Sequence, residues 1–522
     1  MRIIPLLLCF LPVFTALKFL SYNPVYGRSH LTFMHALHET LIDAGHEVHV
    51  ITPIIDSRLK LEKTRAKEII IPQSSYSLAF EGGLEADMIS NSWVTEGVLG
   101  AFGGVKRLMY AWHGQCNFTL QHPGLLEQLA KEKYDAAISE PICFCGFGLF
   151  EKLGIKNVAS ALSTAASEGS FWATGAPSFP SYVPGVMGKH SDRMTFLERV
   201  SNTLGSAAPL LFWPVLQAPF DEMFKQNFGA DFPTSADLLK QTSLFFINSE
   251  PITDFPRVIT HKIIDIGGIS VAGGHKPLNK TWSDILDLRK KTVLLSFGSV
   301  AKSYLMPDSY KQTIRRTIQK FPDVTFIWKY EKPEDGISEG IENLVESTWV
   351  PQNDMLHDPR LSLFITHCGQ GSTIESTTAG MPLIVIPVLG DQQRNAQTIK
   401  RIETGIVLEK TILAQGDTLE NTIREVLGND KYSLKAKRVG EQIRGRPFTA
   451  RDTFVRNMEF MARFGPLRQF EHYGTQLNFF QYYCLDVFAS LASIVFGVLA
   501  GFFLCARAIV RRCTGGSKRK VE

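Results

Sequence analysis

The chain has 522 residues, 44% hydrophobic and 20% charged, with 41 Gly and 26 Pro. That composition excludes a fibrous or largely disordered protein, and the length exceeds what one core usually supports, so two or more domains are expected. Net charge is +4, yet six Lys/Arg crowd into residues 507–522, and the near-neutral body that remains argues against nucleic acid as a partner.

Residues 1–16 read as a secretory leader: Arg2 is the charged start, Ile3 to Phe14 the apolar run, and Thr15-Ala16 the small cleavage site. Leu17–Tyr22 predicts a strand. After the turn Asn23 to Gly27, Leu31, Met34, Leu37 and Leu41 recur at helical spacing, Gly45 stops the helix, and Val48–Ile51 reads as the next strand. This is one βαβ unit of a parallel sheet. Its first turn lacks fingerprint glycines, which argues against a dinucleotide-dependent dehydrogenase. Asn117-Phe118-Thr119 and Asn279-Lys280-Thr281 are glycosylation sequons, at Asn117 and Asn279. Cys9 lies in the leader and Cys484, Cys505 and Cys513 lie at or beyond the membrane segment, which leaves Cys116, Cys143, Cys145 and Cys368. They are too sparse for a disulfide framework, and a 143–145 link would close a very tight ring, so free, packed thiols are expected. No metal site is expected: His38-Glu39 opens an H-E-x-x-H match that fails at Ile42. Residues 165–235, rich in Pro and aromatics, read as irregular cover over a pocket or against a membrane.

The turn-rich stretch from Gly267 to Pro277 introduces a second alternating pattern. Its strands are Thr292–Phe297, Val324–Lys329, Leu361–Thr366, Leu383–Pro387 and Ile406–Leu408, with helices at Gly371–Ala379 and Gln393–Glu403. The fold class is therefore α/β, two doubly wound domains facing across a cleft. Residues from about 440 to 464 predict a helix that returns to the first domain. Val487–Ala506 carries no charge over 20 residues, enough to cross a bilayer, with Tyr482 and Tyr483 on one side and Arg507, Arg511 and Arg512 on the other. With the leader, this orients the body to the lumen. Lys518 and Lys520 resemble a dilysine retrieval signal of endoplasmic reticulum membrane proteins.

The stretch 349–395 carries the chemistry. Trp349 offers a flat face to a nucleobase, and Gln352 an amide to base or ribose. His367, Gly369, Gly371 and Ser372 join a strand end to a helix start, where backbone N–H groups and the helix dipole suit a diphosphate. Glu375 suits a ribose diol, Ser299 after another strand a phosphate, and Asp391-Gln392 the sugar hydroxyls. Each falls at the carboxyl end of a parallel strand, where such sheets bind ligands. Singly these are weak signals; their order and spacing together point to a nucleotide-sugar site.

In these motifs the chain resembles the UDP-glycosyltransferases and, with its anchor, is similar to microsomal UDP-glucuronosyltransferases in a nematode-like form. Ser29-His30, Pro180 to Pro184, Ile266-Gly267-Gly268 and Leu485-Asp486-Val487 extend the resemblance over nearly the whole mature chain. It implies the GT-B arrangement of two Rossmann-like domains: an acceptor-binding domain at 17–265 and a UDP-sugar-binding domain at 266–440. Helices returning to the first domain at 441–484, a transmembrane helix at 485–507 and a cytosolic tail at 508–522 would follow. It also implies that His30 is the general base. Glu140 is its partner, where the family usually has Asp. Gly371 replaces the Asn or His of plant-like and vertebrate members, and Asn395 matches a position used for glucuronate in vertebrate members. The implied reaction is inverting transfer from a UDP-sugar, UDP-glucuronate first and UDP-glucose as the alternative, to a small lipophilic acceptor, without metal or further cofactor. The implied setting is a single-pass protein of the endoplasmic reticulum membrane, with homo- or hetero-oligomers of related transferases as a further partnership. A regulatory member without turnover and a membrane-anchored lipophile carrier are the competing readings.

Overall fold

The computed structural model describes residues 16–94, 98–414 and 416–515. The leader up to Thr15 and the retrieval-like tail lie outside the described residues. The first sheet holds β1 (Lys18–Tyr22), β2 (Glu47–Pro53), β3 (Lys67–Ile71), β4 (Ala136–Ser139), β5 (Val158–Leu162), β6 (Leu244–Ile247) and β7 (Ile263–Asp265), in the order β3-β2-β1-β4-β5-β6-β7. All pairings are parallel. The second holds β8 (Lys291–Ser296), β9 (Val324–Lys329), β10 (Leu344–Ser347), β11 (Leu361–Thr366), β12 (Leu383–Val385) and β13 (Gly405–Val407), also parallel, in the order β10-β9-β8-β11-β12-β13. Short apolar runs such as Leu244-Phe245-Phe246-Ile247 are buried on both faces because helices cover both sides of a parallel sheet. In each sheet the strand order reverses once, between β1 and β4 and between β8 and β11, which opens a crevice at their carboxyl ends.

Three expectations are corrected. Much of the stretch expected to be irregular, 165–235, is helical: Glu168–Thr174, then a helix of 33 residues, Phe196–Phe228, that contains Pro209, Pro214 and Pro219. Its start is fixed by a capping box between Thr195 and Glu198, and packing of Leu216, Phe220 and Phe224 carries it through prolines that disfavour it locally. The thiols are not all free. Cys116 and Cys145 form a disulfide across 29 residues, joining the end of the helix Val98–Leu120 to the start of the helix Cys145–Lys152, while Cys143 and Cys368 stay free and buried. The pairing depends on helices that meet only in the fold. The single returning helix is two, Lys431–Arg444 and Ala450–Phe464.

The second of these packs Phe454, Met458 and Met461 into the core beneath the first sheet, with Phe454 4.9 Å from Phe246. Each such side chain is worth about 1.5–3 kcal/mol when fully buried. His46 and Glu459 add a contact at 3.1 Å. Residues 471–515 form a separate unit. Its helix Leu485–Gly515 is long and apolar enough to cross a membrane.

Candidate active site

His30 is the third residue of the helix Arg28–Asp43, which starts directly beyond β1. Gly27, the cap, makes room for it: a Cβ there would lie 3.0 Å from the imidazole Cδ2. Across the crevice, Glu140 follows β4. Its Oε2 lies 2.8 Å from His30 Nδ1 and accepts the Tyr26 hydroxyl at 2.8 Å; its Oε1 accepts the Ser163 backbone N–H at 2.9 Å. Glu140 therefore reaches the imidazole despite its extra methylene. Tyr26 and Ser163, whose Oγ is also 2.8 Å from Nδ1, complete the carboxylate's surroundings. Burial works against a protonated His30, but the charge and hydrogen bond of Glu140, and the charge of Asp391, outweigh it and raise its pKa. Burial works against an ionised Glu140, and the same imidazole with Ser163 outweighs it, so the carboxyl pKa is lowered. With Nδ1–H held by the carboxylate, Nε2 is the nitrogen left to take a proton.

The second crevice is shaped by close packing. Gly298 (φ +80°) and Gly369 lie against the His367 ring, where added Cβ atoms would fall 2.5 and 2.6 Å from imidazole atoms. His367 is buried and its pKa is pushed down to about 3, by burial first and by Lys329 second, so it offers a neutral N–H rather than a charge. Among the described residues its Nδ1 makes no hydrogen bond. Cys368 takes φ +65°, an uncommon conformation for a residue with a Cβ, and turns the chain sharply from β11 into the helix Gln370–Ala379. That helix begins at Gly369 with no side-chain cap, which leaves first-turn N–H groups open to an anion. A Cβ on Gly371 would meet nothing within 4 Å, so this position faces open space. Lys329, at the carboxyl end of β9, donates to the Gly298 carbonyl at 2.8 Å and sets a cation beside this loop.

Trp349, just beyond β10, is 58% exposed. Gln352 donates to Glu375 at 2.6 Å and to Ser372 at 3.1 Å, which ties these three together, and burial pushes the Glu375 carboxyl up to about 7. Ser299 follows Gly298 on the loop beyond β8, half-buried. Asp391 caps the helix Gln392–Ile402, held by Asn395 Nδ2 at 2.9 Å; burial raises its pKa, against the pull of Asn395, His30 and Arg394. The same Asn395 nitrogen donates to the Cys368 carbonyl, so its amide N–H groups tie Asp391 to the turn at Cys368. Gln392 accepts two backbone N–H groups of its own loop, from Val388 and Leu389.

The structure thus gathers His30, Glu140 and Asp391 into one electrostatic neighbourhood and Gln352, Ser372 and Glu375 into another. Tyr26, Ser163 and Lys329 escape sequence reasoning. For Lys329 there was a signal, a charge ending an otherwise apolar strand; for Tyr26 and Ser163 there was none. Asn117 sits on a helix with its Oδ1 accepting from Gln121 and Asn227, and Thr119 is buried; Asn279 is exposed and caps the helix Lys280–Leu286. Among the described residues, Glu47, His49 and Glu132 bring ligand-type atoms within 4.8 Å of one another. They lie at the amino-terminal ends of the strands, opposite His30, and Lys18 and Lys67 already pair with Glu132.

The family profile described as "UDP-glucoronosyl and UDP-glucosyl transferase" matches residues 21–520. The chain is 28% identical to the ugt-48 protein of Caenorhabditis elegans, over 92% of this chain and 93% of that one. It is 27% identical to human UDP-glucuronosyltransferase 1A4, over 95% and 92%. Among solved structures it resembles a glycotransferase of kitacinnamycin (TM-score 0.58, 16% identity, 86% of this chain and 99% of that one). It also resembles Os79 from O. sativa, in complex with U2F and trichothecene (TM-score 0.58, 16% identity, 86% and 100%). These likenesses carry the GT-B fold of the two sheets, and the chain belongs to the UDP-glucuronosyl and UDP-glucosyl transferase family of glycosyltransferases.

Proposed function

We propose that the protein moves a glycosyl group from UDP-glucuronate to a hydroxyl of a small lipophilic acceptor, with inversion. One observation carries the reading: an imidazole held at Nδ1 by a buried carboxylate, in the electrostatic reach of Asp391 from the donor half. His30 Nε2 takes the acceptor proton as the oxygen attacks the anomeric carbon. The new C–O bond forms as the bond to the diphosphate oxygen breaks, and the product is a β-glycoside. Glu140 stabilises the imidazolium, with Tyr26 and Ser163 holding the carboxylate. The departing UDP is held by N–H groups of the helix that begins at Gln370, by Ser299 and His367, and by the nearby charge of Lys329. Trp349 stacks on uracil, Gln352 and Glu375 take the ribose, and Asp391 with Gln392 takes the sugar. No metal and no cofactor beyond the donor is assigned.

The helix Leu485–Gly515 is read as a single-pass anchor of the endoplasmic reticulum membrane, with the body lumenal. The Cys116–Cys145 disulfide supports that side, since disulfides persist in oxidising compartments. UDP-glucose is the second donor, because the residues assigned to the sugar suit either. The test is incubation of the full chain, in membranes, with each UDP-sugar and a panel of phenols, with products identified by mass. His30→Ala should abolish conjugates while retaining UDP binding. Conjugates formed at the same rate by His30→Ala would refute the base, and none from the unaltered protein with either donor would refute the transfer.

A further inference from the structure

Residues 248–257, between β6 and β7, form a loop with no regular structure, yet Asn248, Ser249, Glu250, Thr253 and Asp254 are all buried. Polar side chains are buried when they have partners, and here many partners come from beyond the first sheet. Gln370, the first residue of the diphosphate helix, donates to the Asn248 carbonyl at 2.5 Å. Arg394, one turn after Asp391 and 1% exposed, pairs with Asp254, which also holds Arg257 and Ser249. Arg446, from the crossing back to the first domain, pairs with Glu250 at 2.7 Å. On its other side the loop reaches the base: Asn248 Nδ2 donates to the Ser163 carbonyl at 2.9 Å, and Ser163 contacts both Glu140 and His30.

We propose that this loop sets the register between the two halves of the site, with Arg394 and Gln370 as positioning residues that seat the donor helices against the His30–Glu140 pair. The inference rests on the transfer reading only for its kinetic arm. Contacts from one loop to the two helices that begin at the diphosphate and sugar positions, with Arg446–Glu250 as a third, fix both distance and rotation between the sheets. Two points alone would leave a hinge about the line that joins them. The pair at Asp254 can lose one arginine and still be compensated, because Arg257 remains beside the carboxylate. Arg394→Met also keeps an apolar stem over Phe255, where the guanidinium now lies 5.3 Å from the ring.

The test compares the full chain with Arg394→Met, Arg394→Lys and Gln370→Leu. Hydrogen exchange with UDP alone as probe comes first. UDP should slow exchange in the helix 370–379 of every form, and in residues 160–165 and 248–257 of the unaltered chain and Arg394→Lys only. Turnover with a phenol should then fall about 10- to 100-fold in Arg394→Met, the usual cost of misplacing reacting groups by about an ångström. UDP affinity should be unchanged, and Arg394→Lys should recover part of the loss. Loop protection that persists in both Arg394→Met and Gln370→Leu, or that is missing from the unaltered chain, overturns the proposal. So does turnover that falls only in step with UDP affinity. UDP that slows exchange nowhere would overturn the donor reading instead.

Discussion

Replacing Glu140 with Gln tests the centre of the mechanism at nearly constant volume. The carboxylate is 4% exposed and accepts three hydrogen bonds, from Tyr26, His30 and Ser163. Its bond to an imidazolium is charge-assisted, and such bonds contribute roughly 1.5–3 kcal/mol. At about 1.4 kcal/mol per factor of ten, turnover should fall about 10- to 150-fold for this term alone. The amide also has an NH2 group, which donates to Nδ1 and forces the proton onto Nε2, the atom that must be free; the drop should therefore lie at or beyond the upper end. The pH profile separates this from simple misfolding. In the native protein the raised pKa of His30 means that the base is protonated, and kcat/KM lost, as pH falls through a value above the ordinary one for histidine. In the variant the carboxylate no longer opposes burial, so the acid limb should move to lower pH while the plateau drops. A variant with a native acid limb, or with turnover within about twofold of native, well below one power of ten, would refute the pairing.

Further outcomes follow from the donor half and the disulfide. Trp349→Ala should weaken UDP binding by about 1–3 kcal/mol, the range for a base stacked on an aromatic ring, and isothermal calorimetry would read it; unchanged affinity removes Trp349 from the site. Glu375, with its carboxyl pushed up to about 7, is protonated below that pH and charged above it, so UDP affinity should rise between pH 6 and 8 and Glu375→Gln should flatten that rise. A slope that survives in Glu375→Gln excludes this carboxyl as its source. Replacing Cys116 and Cys145 together by Ser should lower stability by about 3–4 kcal/mol, as expected for a closed loop of this length, seen as a lower urea midpoint. An unchanged midpoint would mean that the two thiols are not joined.

Local pattern was enough for much of this protein. The apolar runs of β1, β8, β9 and β11 and the helix after Gly369 were readable within a residue or two, because periodicity and turn residues act over short distances. Several strands of the first sheet, β5 and β6 among them, are runs of four or five residues in which burial on both faces erases any alternation, and nothing local marked them. The long helix through Pro209, Pro214 and Pro219 was hidden for the opposite reason: local chemistry speaks against it, and tertiary packing overrides that chemistry.

For the site, residue types and spacing named the donor motif, and the resemblance it carries named His30 and Glu140. What the sequence could not supply was mutual placement. Glu140 meets His30 because β4 lies beside β1, although 110 residues separate the two side chains, and Tyr26 and Ser163 join them from two further segments. Cys116 and Cys145 are likewise paired by the meeting of two helices, and Arg394 meets Asp254 only because two sheets face each other. Periodicity and capping are properties of neighbours along the chain, so the sequence by itself determined those elements that carry a local pattern and the chemistry available at their ends. Hydrogen bonds and ion pairs act over a few ångströms in space, so only the tertiary structure decided which of those ends work together.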